Sequence, residues 1–97
     1  MNRFELIREW ARVRGIYEQG DKKTQVIKLY EEVGELSQAI LKNNTNEFID
    51  AIGDSVIVLT SLAALGGVDI EQCIDSAYKE ISNRKGDMIN GTFVKNK

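Results

Sequence analysis

Residues 24–42 read TQVIKLYEEVGELSQAILK, and this stretch decides the fold. Its apolar residues recur at intervals of three, four and seven positions, the spacing that places side chains on one face of an α-helix. They are Val26, Leu29, Tyr30, Val33, Leu36 and Ile40. Because Asn43 and Asn44 follow the last apolar positions, the pattern predicts an amphipathic helix over about 24–42 that needs a neighbour to cover its apolar face.

The next segment supplies that neighbour. Asn44 stands three residues before Glu47, the spacing at which a cap residue and a returning carboxylate satisfy free N–H groups at a helix start, so a helix is predicted over 45–65. Residues 51–65 are apolar around nearly the whole circumference. They are fewer than the ~20 that a membrane span requires and include Asp54, so we interpret them as part of a buried helix.

Two further helices are predicted, over about 3–19 and 69–85. Gly20 and Asp21 close the first, while Asp69 caps the last with Gln72 at its third helical position. In the tail, 86–97, Asn90-Gly91 is typical of a tight turn, but its strands would be very short, so we expect a mostly extended or loosely ordered segment. The sequence thus predicts a single all-α domain over 1–97, a four-helix bundle.

Composition excludes several classes of function. Fifteen acidic and thirteen basic residues give a net charge of −2, which lacks the strongly basic footprint of a nucleic-acid-polymer binder. Cys73 is the single cysteine and histidine is absent, which excludes an intrachain disulfide and a Cys/His zinc site. The N-terminal residues carry no apolar signal segment, so we expect a cytoplasmic protein without a membrane partner.

Carboxylates are arranged on the two central predicted helices. At about 100° per residue, Lys28, Glu32 and Glu35 share one stripe beside the apolar face, and Glu31 lies on the other flank. On the following helix the same kind of spacing joins Glu47, Asp50 and Asp54. Two such stripes, if they face each other, form an acidic cage.

Ordinary explanations exist for these carboxylates: solvated surface charges, a helical hairpin stabilised by ion pairs, or a Ca²⁺ site, although no EF-hand loop is present. Asp54 argues for a metal, because its apolar surroundings predict burial and its helix contains neither Lys nor Arg. Mg²⁺ prefers oxygen ligands and bridges carboxylates to phosphates. The pattern therefore favours a magnesium site.

Three stretches resemble the MazG-like nucleotide pyrophosphohydrolases. Residues 25–40, QVIKLYEEVGELSQAI, resemble the first signature of that family, a helix with Glu-Glu-x-x-Glu. Residues 47–63, EFIDAIGDSVIVLTSLA, resemble the second, and residues 77–86, AYKEISNRKG, are similar to the Lys-and-Arg helix that follows. The resemblance covers most of the chain in the right order. It implies an all-α enzyme that hydrolyses (deoxy)nucleoside triphosphates to monophosphate and pyrophosphate with Mg²⁺, or with Mn²⁺ as a substitute.

The resemblance also implies roles for particular carboxylates. Glu32, Glu35 and Asp54 would be Mg²⁺ ligands, with Glu31 near the reacting water or a second metal. Many relatives carry Glu three residues before the Asp, where this chain has Ala51. Two acids, Asp50 and Glu47, lie near enough in sequence to fill the gap.

Family resemblance and the apolar surface of the third predicted helix together predict a homo-oligomer, either a dimer or a dimer-paired tetramer.

Substrate-binding candidates have ordinary alternatives as well. A triphosphate tail can be held by four cations, Lys28, Lys79, Arg84 and Lys85, although the last three can instead be helix-end cations.

The base of a substrate has its own candidates. Trp10 can stack on a base or pack in the core. Gln25 and Asn83 can recognise base edges, or act as a surface residue and a helix cap.

Rival functions remain open at this point. A phosphoribosyl-ATP or dUTP pyrophosphohydrolase of the same fold has the same sequence features. A catalytically silent helical oligomer that binds a nucleotide or a protein is the alternative from another class, and the loss of an acid at Ala51 gives it some weight.

Overall fold

A long helical hairpin forms the centre of the molecule. In the computed structural model, which describes residues 1–96, helix α3 (Lys22–Leu41) and helix α4 (Thr45–Leu65) make the most extensive contact between any two elements. Ala39, Ala51 and Val58 are buried along it, and their small side chains allow the helices to approach closely. Helix α3 ends as predicted, since Asn43 adopts a left-handed conformation with φ 54°.

The other elements are α1 (Arg3–Val13), α2 (Ile16–Gln19), α5 (Ile70–Ser82), β1 (Gly86–Ile89) and β2 (Thr92–Lys95). Helices α1, α2 and α5 each pack on α4. The prediction of a helical protein is confirmed, but the described residues form five helices rather than four.

The predicted first helix is divided in two. Gly15 has φ 78°, a left-handed conformation that glycine adopts without a steric cost, and it separates α1 from α2. Asp21 then begins α3 earlier than predicted, because its carboxylate accepts a hydrogen bond of 2.8 Å from the Thr24 N–H. Asn44 caps α4 as predicted, accepting a hydrogen bond of 3.1 Å from the Glu47 N–H. The predicted return bond to the Glu47 carboxylate is absent, because the Asn44 N–H donates to the Ala39 carbonyl oxygen at 2.9 Å.

Helix α5 is shorter than predicted, and the tail after it is more ordered. Asp69 precedes α5 but makes no side-chain capping hydrogen bond, so that part of the prediction is wrong. Residues 86–95 form an antiparallel hairpin in which Gly86 is paired with Lys95. Asn90 and Gly91 both have positive φ, 50° and 82°, which is the conformation of a two-residue turn that matches the strand twist.

Helix α4 is long and apolar enough, by length and composition alone, to cross a membrane. It contacts each of the other helices and carries Glu47, Asp50 and Asp54. We therefore interpret it as the central helix of the domain. The sequence predicted a buried helix, whereas only Ala51, Val58, Thr60 and Ser61 of α4 are buried within this chain.

The chain leaves much of its surface uncovered. Its accessible area is 7580 Å², whereas a folded monomer of this mass has about 5,600 Å². Its radius of gyration is 15.9 Å, against about 12.5 Å for a compact domain of this length. Ile49 and Tyr78 are among the large apolar side chains that are more than half exposed.

Candidate metal centre

Three carboxylates from the helical hairpin come together. Glu32 and Glu35 lie one turn apart on α3, and Asp54 faces them from α4. One oxygen atom from each lies within 4.8 Å of the other two. We call these three residues the acidic trio. Oxygen donors from two rigid helices at this separation are a ligand set that suits a hard divalent cation.

Glu32 is the buried member of the trio, with 5% of its surface exposed. Its Oε1 lies 3.5 Å from Lys28 Nζ, whereas its Oε2 is buried and has no hydrogen-bond partner among the described residues. A buried carboxylate oxygen without a partner is costly, and a coordinated cation removes that cost. The orphaned oxygen is the observation that shows the fit of this site to a metal.

Asp54 is exposed in the chain, so its predicted burial is wrong. The prediction assumed that the apolar residues around it on α4 would be covered by other parts of the chain. Instead Ile52 and Leu59 stay 43% and 38% exposed. The buried carboxylate belongs to α3, where the residues flanking Glu32 are no more apolar than those flanking Glu31 or Glu35.

An acidic cavity of about 370 Å³ opens on one side of the trio. It is lined by Glu35, Gln38, Lys42, Glu47, Asp50, Ala51 and Asp54. Asp50 and Glu47 thus share a cavity wall with two trio members, but they lie outside the group of three. Their role as replacements for the acid missing at Ala51 stays a prediction.

A second, mixed cavity of about 440 Å³ lies on the other side. Its wall includes Trp10, Gln25 and Lys28 together with Glu32 and Asp54. Trp10 is 45% exposed rather than part of the core. The Arg14 guanidinium lies 4.5 Å from the centre of its ring, at a cation–π distance. Since Asp54 lines both cavities, the trio stands between them.

Lys28 is the cation closest to the trio in the structure. Its Nζ lies 3.4 Å from Glu31 Oε2, and the hydrogen bond to Glu31 is the main cause of its raised pKa, with smaller contributions from the charges of Glu31 and Glu32. The side chain is therefore charged at neutral pH. Glu31 is exposed and is not a member of the trio, so its catalytic role stays a prediction.

The candidates on α5 and just after it lie elsewhere. Neither Lys79 nor Arg84 lines either cavity, and Arg84 pairs with Glu80 at 3.3 Å. Asn83 caps α5 by donating to the Lys79 carbonyl oxygen at 3.2 Å, which supports its interpretation as a helix cap. Lys85 is exposed and precedes β1. The substrate contacts of these residues stay predictions.

Two of the residues that line the cavities were not predicted from the sequence. Lys42 is the cation of the acidic cavity, and Ser61 is a buried part of the second cavity wall. Each stands seven residues after a member of the trio, Lys42 after Glu35 and Ser61 after Asp54, so helical periodicity places each near the same stripe. Extending the acidic stripes by two turns would have found both residues.

At the level of class, a helical domain with a carboxylate cluster between two cavities is a candidate metal-dependent hydrolase. Comparison with known families gives a more specific answer. The family model of the MazG nucleotide pyrophosphohydrolase domain matches residues 21–89. The chain therefore belongs to the MazG family, as its three signatures suggested.

One relative is described as an uncharacterized 18.2 kDa protein in the rep-hol intergenic region of Haemophilus phage HP1 (strain HP1c1). It is 38% identical over 63 residues, which are 65% of this chain and 39% of the relative. The chain thus matches about two-fifths of that protein's length. No solved structure matches the chain.

Proposed function

We propose that this protein hydrolyses (deoxy)nucleoside triphosphates to a monophosphate and pyrophosphate with Mg²⁺ as cofactor, for which Mn²⁺ can substitute. The observation that carries the proposal is the orphaned, buried Glu32 oxygen beside Glu35 and Asp54, in a chain of the MazG family. Hydrolases of this kind act on acid anhydrides, and the trio is suited to hold the cation that such chemistry uses.

Each part of the site has a task in this proposal. A bound Mg²⁺ would neutralise phosphate charge and lower the pKa of a bound water. Glu32, Glu35 and Asp54 would hold it, and the exposed Glu31 would accept a proton from the attacking water. No Ser, Cys or His nucleophile is required, which agrees with a chain that has no histidine.

The two cavities suggest how a substrate is oriented. The mixed cavity contains Trp10 and Gln25, which can stack on a base and hydrogen-bond to its edge. In the acidic cavity, Lys42 can bind the pyrophosphate end of the substrate directly. The carboxylates of Glu47 and Asp50 can bind it through a second cation. The scissile bond between the α and β phosphates would then lie at the trio.

Pyrophosphate release from the eight common nucleoside triphosphates and their noncanonical forms, with Mg²⁺ and with chelator, tests this function. We expect turnover that requires the metal and is lost in Glu35→Gln. Phosphoribosyl-ATP and dUTP belong in the same panel, because enzymes of the same fold hydrolyse them. Stoichiometric nucleotide binding without any pyrophosphate release would instead support the catalytically silent module.

We also propose that the protein is a homo-oligomer, a dimer or a dimer-paired tetramer. The support is the excess of exposed surface, which is about 2,000 Å² above the value for a compact monomer of this size and is comparable to what one partner buries in a large interface. The apolar side chains of α5 form part of it, with Ile74 49% and Ile81 52% exposed. Sedimentation as a stable species of 10.9 kDa at micromolar concentration would contradict this.

A further inference from the structure

The buried carboxylate of the trio is neutralised from one side only. Lys28 lies one turn before Glu32 on α3, and its ammonium is 3.5 Å from Glu32 Oε1 and 3.4 Å from Glu31 Oε2. The lysine side chain is 53% exposed, whereas that of Glu32 is 7% exposed. The pair therefore joins a fixed, buried anion to a cation on a flexible stem that is free to move.

Among residues 1–96, Lys28 is the one Lys or Arg that lines the mixed cavity. A phosphate bound there between Trp10 and the trio would thus find one protein cation, which is already engaged with Glu31 and Glu32. Glu32 cannot keep its ion pair with Lys28 and also coordinate a divalent cation without a cost, because the two positive charges would lie a few ångströms apart and repel each other.

We propose that Lys28 is an exchangeable counter-ion for Glu32. While the trio holds no divalent cation, Lys28 neutralises the buried carboxylate and reduces its repulsion with the other two carboxylates of the trio. Once Glu32 serves as a metal ligand, Lys28 turns into the mixed cavity and donates hydrogen bonds to a substrate phosphate. This inference rests on the proposed function, and it makes Lys28 a residue that weakens metal binding while it strengthens phosphate binding.

Opposite effects on two ligands distinguish this role from a structural one. In Lys28→Met, the substrate-free protein should bind Mn²⁺ about threefold to tenfold more tightly, because the repelling charge is gone. With Mg²⁺ at saturation, the same variant should bind inorganic tripolyphosphate at least tenfold more weakly, because the cavity has lost its cation. A variant that was merely misfolded would lose affinity for both ligands.

Two variants complete the experiment, which uses calorimetric titration of the full chain. Lys23→Met removes the same charge from an exposed position that lines neither cavity and should leave both affinities near wild type. Lys28→Arg keeps the charge and should bind Mn²⁺ with an affinity near that of the wild type. Unchanged or weaker Mn²⁺ binding in Lys28→Met would overturn the inference, as would equal tightening in Lys23→Met.

The titrations also separate this inference from the proposed function. If the wild type binds Mn²⁺ but hydrolyses no triphosphate, the enzymatic proposal fails, while the comparison between the two methionine variants still decides the role of Lys28. If the wild type binds no Mn²⁺, both proposals fall. If Mn²⁺ binding and turnover are present and Lys28→Met behaves as the wild type, the counter-ion role alone is wrong.

Discussion

The α3–α4 hairpin and the C-terminal region after residue 66 both carry apolar helical side chains, yet they differ in how far the chain covers them. In the hairpin, small residues such as Ala39 and Ala51 are buried and the acidic trio converges. In α5 no residue is buried, and every residue of the β-hairpin except Gly86 is exposed. The hairpin forms buried contacts and a converged site within the chain, although it too keeps apolar side chains such as Ile49 exposed. Up to residue 96, the C-terminal region has no buried residue and presents surface that a further copy can cover.

The largest effect should come from the ligands in the hairpin. Glu35→Ala or Asp54→Ala removes a carboxylate from the trio, and we expect turnover to fall by about a thousandfold or more. The matched control is Glu18→Ala on α2, an exposed carboxylate that should leave turnover near wild type. Initial rates of pyrophosphate release measure both. Full activity in the two ligand variants would show that the metal centre lies elsewhere.

A second comparison concerns the acids beside Ala51. If Asp50 replaces the missing ligand, Asp50→Asn should reduce turnover about as severely as Asp54→Asn. Glu47 lies at the start of α4 and should act through water, so Glu47→Gln should cost only about 10–100-fold. Mg²⁺ titrations of the rate separate the two. Wild-type turnover and metal dependence in Asp50→Asn would mean that Glu47, or no residue, replaces the acid missing at Ala51.

Truncating an apolar side chain should lower the free energy of unfolding more in the α3–α4 hairpin than in α5. Val58 is 7% exposed on α4, so Val58→Ala should lower the free energy of unfolding by about 2 kcal/mol at any protein concentration. Ile74 on α5 is half exposed, and Ile74→Ala should cost less than about 1 kcal/mol in a dilute monomer. Denaturant titrations at two protein concentrations test this. A loss at Ile74 that grows with concentration would show that a second copy covers α5.

The smallest effect concerns the ion pair between α1 and α5, which adds to the packing of α5 on α4. Arg8 and Glu71 form a two-pronged ion pair, with Arg8 Nη2 at 2.8 Å from Glu71 Oε2. The pKa of Glu71 is lowered from 4.5 to about 2, mainly by the hydrogen bonds from Arg8, with further lowering by a backbone hydrogen bond and by the charge of Arg8. A depressed carboxylate pKa stabilises the fold above the unfolded value, and this contribution is lost as pH falls from about 4.5 to 2.

Glu71→Gln should therefore lower the melting temperature slightly at pH 7, and the difference from wild type should disappear near pH 2. Thermal unfolding followed by circular dichroism between these values gives the measurement. A gap that stays constant with pH would mean that the ion pair contributes nothing through its charge.

Much of the hairpin was predictable because its signals are local. The apolar spacing of α3, the Asn44 cap and the turn at Asn43 each act within a few residues, and they set the elements that position Glu32, Glu35 and Asp54. The break at Gly15 and the β-hairpin were not predicted, because a single residue of positive φ decides the first and very short strands gave a weak signal for the second. Which carboxylate is buried depends on packing between helices, which periodicity does not describe.

The three-residue turn between α3 and α4 has a consequence for how the protein folds. A short connection costs little loop-closure entropy, and contacts between neighbouring elements form faster than contacts between distant ones. The helical hairpin should therefore form before α5 docks through Arg8 and Glu71, which are 63 residues apart in the chain. The three carboxylates of the acidic trio should thus be brought together early in folding, by residues 22–65 alone.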